Sequence, residues 1–173
     1  MTVTPRLVGL PPVIARGTRL VVLGSFPGVA SLQVGQYYAH PRNQFWPLLS
    51  QLLGEPLPAL PYRECVARLR DRGAGLWDVY ASCRREGSLD SAIEAAQLND
   101  VASLRRRGPG MRAVAHNGGE SARHRRHTEV LGLPLRAIAG GTRAEAMRSG
   151  VRRDVPENWA SAAWRRSALW RLT

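Results

Sequence analysis

Along the chain, short apolar runs bounded by Gly, Pro and polar clusters alternate with stretches whose apolar positions recur every three or four residues. Arg19 to Leu23 (RLVVL) is a continuous aliphatic run, the pattern of a parallel strand buried on both faces. Gly24 to Gly28 (GSFPG) turns the chain after it. Asn43 to Leu53 has helical spacing, and Pro47 fits only within its first turn. Tyr62 to Arg72 (YRECVARLRDR) is an amphipathic helix with Cys65, Val66 and Leu69 on one face, ended by Gly73. Ala74 to Val79 predicts a second strand, and Ser82 to Ser91 a polar loop able to cap a short helix. Asp100 to Arg107 carries a Leu/Val face and is broken by Gly108-Pro109-Gly110. Arg112 to Ala115 predicts a third strand, ending at His116-Asn117-Gly118-Gly119. Glu120 to Leu131 predicts a helix with Ala122 and Val130 inward and a basic outer face. Leu133 to Ala139 predicts a fourth strand. Pro156 to Leu172 predicts a closing helix with Trp159, Ala163, Ser167 and Trp170 along one side. The proline-rich residues 1–18 are expected to wrap the surface.

Alternating strands and helices imply right-handed crossovers and a parallel sheet covered on both faces. The expected fold is therefore α/β, with residues 1–173 as a single domain and monomer. Ligands of such sheets bind beyond the carboxyl ends of the strands. Here those ends are Gly24 to Gly28, Asp78 to Ser82, His116 to Gly119 and Gly140 to Thr142, all rich in Gly or polar residues.

Composition changes this picture in one respect. Hydrophobic residues make up 44% and charged ones 22%, which is ordinary for a globular chain. The net charge is +12, the footprint of a nucleic-acid partner. All 25 basic residues are Arg, so part of this charge reflects a bias toward Arg. The absence of Lys removes a phosphate-loop lysine and a lysine Schiff base. No apolar run is long enough to span a membrane. The start MTVTPRLVGLPP has no basic head before an apolar stretch, so no secretory leader is expected. Cys65 and Cys83 provide neither metal spacing nor a disulfide framework, so a reducing, cytoplasmic location is expected. His124 and His127 lie three apart without a placed carboxylate or thiol, which favours a phosphate-facing or solvated basic surface over a metal site. A G-x-S-x-G elbow is missing, which disfavours a small-molecule hydrolase.

The stretch GSFPG…SLQVGQYYAHPRNQFW resembles the first motif of the uracil-DNA glycosylase superfamily, and is most similar to its hypoxanthine-DNA (deoxyinosine) glycosylase branch. GLWDVYASCRREGSLDSAI and the HNG at the end of the third strand extend the likeness. It covers about residues 15–135 and the last helix. The resemblance implies a three-layer α/β/α sandwich around a four-stranded parallel sheet. It also implies DNA carrying a deaminated base as partner, extrusion of that base, and hydrolysis of its N-glycosidic bond without metal or cofactor. Extrusion is required because the glycosidic carbon is inaccessible within the stack.

The resemblance places Asn43 as the catalytic residue, positioning water or stabilising the transition state. Its place at a helix start equally fits a cap. Gly24, Ser25 and Gly28 would bring backbone N–H groups to the sugar or base, or form a plain tight turn, with Pro27 lining the same pocket. Phe26 occupies the position where other branches carry a polar water activator. Tyr37, Tyr38 and Phe45 either stack on the base or pack the core. His40 is a donor to the base or a phosphate. Asp78 and Ser82 face the base edge from the second strand end, although Asp78 equally suits a turn cap. Asn117 reads the base edge or supplies its own turn. Arg42, Gly118, Thr142 and Arg143 are expected against the DNA backbone.

One motif departs from the family. A Pro-Ser-Thr-Ser-Pro-Ala type loop follows the fourth strand in relatives. Ala139-Gly140-Gly141-Thr142-Arg143-Ala144-Glu145-Ala146 stands there instead. Both prolines are missing, which raises the ordering cost of the loop on DNA, and Glu145 adds a negative charge near the DNA. The alternative expectation is thus a DNA- or nucleotide-binding relative with weak or no glycosylase activity.

Overall fold

The computed structural model describes residues 4–138. The expected closing helix over 156–172 and the loop 139–146 lie outside the described residues. The strands are β1 (Arg6–Val8), β2 (Leu20–Gly24), β3 (Ala74–Asp78), β4 (Tyr80–Arg84), β5 (Glu94–Leu98), β6 (Ala113–Asn117) and β7 (Leu135–Ile138). The α-helices are α1 (Val29–Val34), α2 (Phe45–Leu53), α3 (Tyr62–Asp71), α4 (Leu104–Arg107), α5 (Gly119–Arg123) and α6 (Arg125–Thr128).

Four strands form one parallel sheet in the order β3-β2-β6-β7. All five residues of β2 are buried, as an aliphatic run with no polar alternation requires. Its side chains divide between two cores. Leu20 and Val22 pack with Leu49 of α2 and with Cys65 and Leu69 of α3. Val21 and Leu23 pack on the other face with Phe26, Val79, Leu104, Met111 and Leu131. The outer edge of β3 is paired with Val13, whose N–H donates to the Leu76 carbonyl at 2.8 Å and whose carbonyl accepts the Leu76 N–H at 3.0 Å.

Strand order reverses at β2. The chain places β3 on one side of it and later β6 on the other. The crevice outside the carboxyl ends of β2 and β6 is therefore the place where such a sheet leaves room for a ligand.

A second, antiparallel sheet in the order β1-β4-β5 was not expected. It corrects the loop assigned to Ser82–Ser91, since residues 80–84 form a strand and only Asp90–Ala92 makes a short 3-10 turn. The polar residues disguised it. Ser82 is buried because its hydroxyl accepts from Arg6 at 2.9 Å and donates to Gln97 at 2.9 Å across both neighbouring strands. β5 is exposed throughout and carries no alternation to recognise.

The helix expected over Glu120–Leu131 is broken into α5, α6 and a 3-10 turn at Glu129–Leu131. Ser121 and Thr128 spend their hydroxyls on the carbonyls of Leu23 and Arg125, side-chain bonds that compete with a regular helix. Val130, expected inward, is 67% exposed; the buried positions are Ser121, Thr128 and Leu131.

Candidate active site

A cleft of about 240 Å³ opens at the carboxyl ends of β2, β3 and β6. Its floor is the Gly24–Gly28 turn. Asp78 enters from the end of β3, Asn117 and Gly118 from the end of β6, and Tyr37, Tyr38, His40 and Asn43 from the connection between α1 and α2. Ser31 of α1 and Ser88 complete the wall.

The turn is locked from behind by the segment after β4. The Arg85 guanidinium lies buried across the Phe26 ring, 5.1 Å from its centroid. Its Nε donates to the Gly87 carbonyl and its Nη2 to the Pro27 carbonyl. The Ser25 hydroxyl donates to Asp90 Oδ1 at 2.7 Å, and the Val29 N–H donates to Ser88 Oγ at 2.9 Å.

Tyr38 is one of two described non-glycine residues with positive φ, at 57°. This conformation aims its ring into the cleft, stacked on Phe45 with centroids 4.0 Å apart and planes 20° apart. Its hydroxyl accepts from Asn117 Nδ2 at 3.1 Å. Asn117 can make that reach because Gly118 follows at φ 98°, a conformation that side-chain-bearing residues avoid. Tyr37 is tied more deeply: its hydroxyl lies 3.3 and 3.2 Å from the Leu10 and Pro11 carbonyls, and its N–H donates to the Tyr62 hydroxyl. Burial raises the pKa of both tyrosines, so both are neutral phenols.

Asn43 lies on the approach to α2. Its Oδ1 accepts the Phe45 N–H at 2.9 Å, and its Nδ2 donates to none of the described residues. Asp78 is 4% exposed, and its Oδ2 has no hydrogen-bond partner among the described residues. Burial foremost, then the negative charge of Asp90, pushes its pKa up to about 7, with Arg85 opposing. A Cβ on Gly24 would come within 2.5 Å of Asp78 Oδ1, so glycine is what allows this carboxyl beside the turn. Behind the cleft, His116 is buried, with Nδ1 2.8 Å from Ser121 Oγ and Nε2 3.0 Å from Thr128 Oγ1. Burial lowers its pKa to about 4, so it is neutral.

The structure thus brings together Gly24, Ser25, Phe26, Pro27, Gly28, Tyr38, His40, Asn43, Asp78, Asn117 and Gly118. Two expected residues are elsewhere. Phe45 is buried behind Tyr38 and supports it instead of lining the cleft. Ser82 belongs to the second sheet, where its hydroxyl is consumed. Arg42 is exposed at the rim and donates its backbone N–H to His40 Nδ1 at 3.1 Å. Thr142 and Arg143 lie outside the described residues. Ser88, Arg85 and Asp90 were missed although they lie within the stretch GLWDVYASCRREGSLDSAI that carries the likeness, because their role is set by contacts with residues about sixty positions earlier. No cluster of metal ligands occurs among the described residues.

No family model matches the chain. The hypoxanthine DNA glycosylase of Methanosarcina barkeri (strain Fusaro) is 32% identical over 154 residues, covering 89% of this chain and 96% of that protein. The hypoxanthine DNA glycosylase of Methanosarcina acetivorans is 33% identical over 150 residues, covering 87% and 90%. A solution NMR structure from Methanosarcina acetivorans, described as a candidate uracil DNA glycosylase, matches at a TM-score of 0.80 and 28% identity, covering 97% of this chain and 99% of that one. A parallel sheet with its cleft at the strand switch point, in an α/β chain of this shape, is thus of the uracil DNA glycosylase-like class. Within that superfamily, the chain belongs to the hypoxanthine DNA glycosylase family.

Proposed function

We propose that the protein is a monofunctional DNA repair glycosylase. It docks on DNA through Arg side chains, accepts an extruded deaminated base in the cleft, and hydrolyses the N-glycosidic bond. Water forms the new bond to C1′ as the C1′–N bond breaks, and the proton passes to the departing base. Hypoxanthine is the first substrate, with uracil and xanthine as further ones. The observation that carries this reading is the convergence of Asn43, Tyr38, Asp78 and Asn117 on one cleft at the switch point.

In this reading Asn43 directs its free Nδ2 and its amide toward the attacking water or the charge that develops in the transition state. Tyr38 offers the face opposite Phe45 for stacking. Asn117, with Nδ2 given to Tyr38, has Oδ1 to accept from the base. Asp78 meets the base edge. Thr142, Arg143, His40 and Arg42 hold the flanking phosphates. With no lysine in the chain, no strand cleavage is expected before alkali. The finer architecture we infer is a single-domain, three-layer α/β/α sandwich, monomeric and cytoplasmic. Two core clusters on opposite faces of the parallel sheet support the layering.

Labelled duplexes carrying inosine, uracil or xanthine, followed by alkaline cleavage of abasic sites, test the reading. Asn43→Ala is expected to lose about 100-fold or more in single-turnover excision, with DNA affinity retained. No abasic product from any lesion, together with salt-sensitive DNA binding, would leave a binding protein whose altered 139–146 loop no longer supports catalysis.

A further inference from the structure

Asp78 is the one ionisable side chain of the cleft that is both buried and unsatisfied among the described residues, through its Oδ2. Its position is fixed on both sides. Its backbone carbonyl accepts from Asn99 Nδ2 at 2.9 Å, and its register places it beside Gly24. The missing Cβ of Gly24 leaves room for the carboxyl at the cleft floor, since a Cβ there would stand 2.5 Å from Asp78 Oδ1.

No group among the described residues donates a hydrogen bond to its Oδ2. From the α1–α2 connection come the phenols Tyr37 and Tyr38; from β6 comes the neutral amide of Asn117. From the segment after β4 come Arg85 and Asp90. Arg85 commits its Nε and Nη2 to the Gly87 and Pro27 carbonyls and leaves Nη1 without a partner among the described residues; its charge favours the carboxylate, and burial together with the negative charge of Asp90 outweighs it. A buried carboxylate oxygen without a donor is costly, whereas a carboxylic acid in the same place carries a donor of its own.

We propose that Asp78 acts as a neutral acid, giving its proton in a hydrogen bond to an acceptor on the edge of a flipped 6-oxopurine, so that ionising Asp78 shuts off excision. The inference rests on the glycosylase reading above. Its chemistry follows from the leaving group. As the C1′–N bond breaks, negative charge spreads over the base. A donor at its edge stabilises that charge, while a carboxylate at the same distance repels it. The proton stays on Asp78 throughout and is shared, not transferred, so nothing else needs to be supplied. Asp78 raised to about 7 by burial and by Asp90 is consistent with an acid form present at neutral pH.

The test compares wild type with Asp78→Asn, whose amide keeps a donor at every pH. Single-turnover release of hypoxanthine from an inosine duplex is followed from about pH 5 to about pH 9. Wild type is expected to lose about tenfold per pH unit above a midpoint near 7, and the variant to lack that limb whatever its plateau rate. Ionisation of the substrate itself acts on both proteins alike. In parallel, the carboxyl carbon shift of Asp78 in the full-length wild-type protein is titrated by NMR. A wild-type profile flat to the alkaline end, or the same limb in both proteins, overturns the inference. So does a carboxyl titration with its midpoint below about pH 5. Absence of excision by either protein at any pH on all three lesions fails the glycosylase reading instead, and the carboxyl titration then decides by itself whether Asp78 is held as an acid.

Discussion

Asp78→Asn is expected to gain stability relative to wild type as pH rises from about 4 to above 7. The native carboxyl holds its proton up to about pH 7, whereas the unfolded one releases it near 3.8. Between those values the native state binds a proton that the unfolded state has lost, so wild-type stability falls as pH rises through that window. About three pKa units at 1.36 kcal/mol each give a ceiling of about 4 kcal/mol, reached above pH 7 and absent below about pH 4. His116 runs the other way. Burial lowers it from 6.5 to about 4, so its contribution is present above 6.5 and is lost as pH falls toward 4. The two slopes oppose each other, and the wild-type curve should look nearly flat across mildly acid pH. Removing Asp78 exposes the His116 slope. Urea denaturation of both proteins at about pH 4, 6 and 8, read by circular dichroism, measures the difference. A new amide in a dry site adds a penalty of its own, but that penalty does not vary with pH. The reasoning is refuted if the stability difference between the two proteins is the same at all three pH values.

Two further substitutions probe the same corner. Gly24→Ala places a Cβ 2.5 Å from Asp78 Oδ1 and should cost about 1–3 kcal/mol, seen as a lowered thermal midpoint, with a loss of excision larger than the loss of DNA binding. Unchanged stability would mean that the carboxyl is not held against the turn. Tyr38→Phe keeps the stack on Phe45 but removes the oxygen that accepts Asn117 Nδ2 at 3.1 Å; about 1 kcal/mol of stability should go with it, and excision should fall because the Asn117 amide loses its orientation. An excision rate equal to wild type would remove Asn117 from base reading.

The parallel sheet was legible because burial on both faces leaves a mark in the sequence: Leu20 to Leu23 have no polar interruption and are all buried. The α3 face was legible for a related reason, since Cys65 and Leu69 are one turn apart and both buried. The cleft floor was legible through Gly24 and Gly28, which no ordinary strand end requires. What failed was whatever depends on partners distant in sequence. β4 looked like a loop because the neighbours that satisfy Ser82 are Arg6 and Gln97, neither of them local. Arg85 looked like one more solvated Arg in an Arg-rich chain, yet it is buried beneath Phe26. Phe45 carried the right chemistry for a base platform, but helix α2 turns it behind Tyr38.

The surroundings of His116 also fix which of its two neutral forms exists. Both ring nitrogens face hydroxyls whose own protons go to carbonyls, Ser121 to Leu23 and Thr128 to Arg125. A neutral imidazole has one proton to give, so one hydroxyl must turn toward the ring and abandon its carbonyl. Taking that bond from Leu23 removes a donor from a carbonyl in the buried central strand; taking it from Arg125 leaves a carbonyl that still accepts the Glu129 N–H. The Nδ1–H tautomer is therefore the expected one, with Thr128 donating to Nε2, and the ring nitrogen chemical shifts distinguish it from the alternative. A single ring proton thus decides which hydroxyl donates to His116, one residue before the Asn117 that lines the cleft.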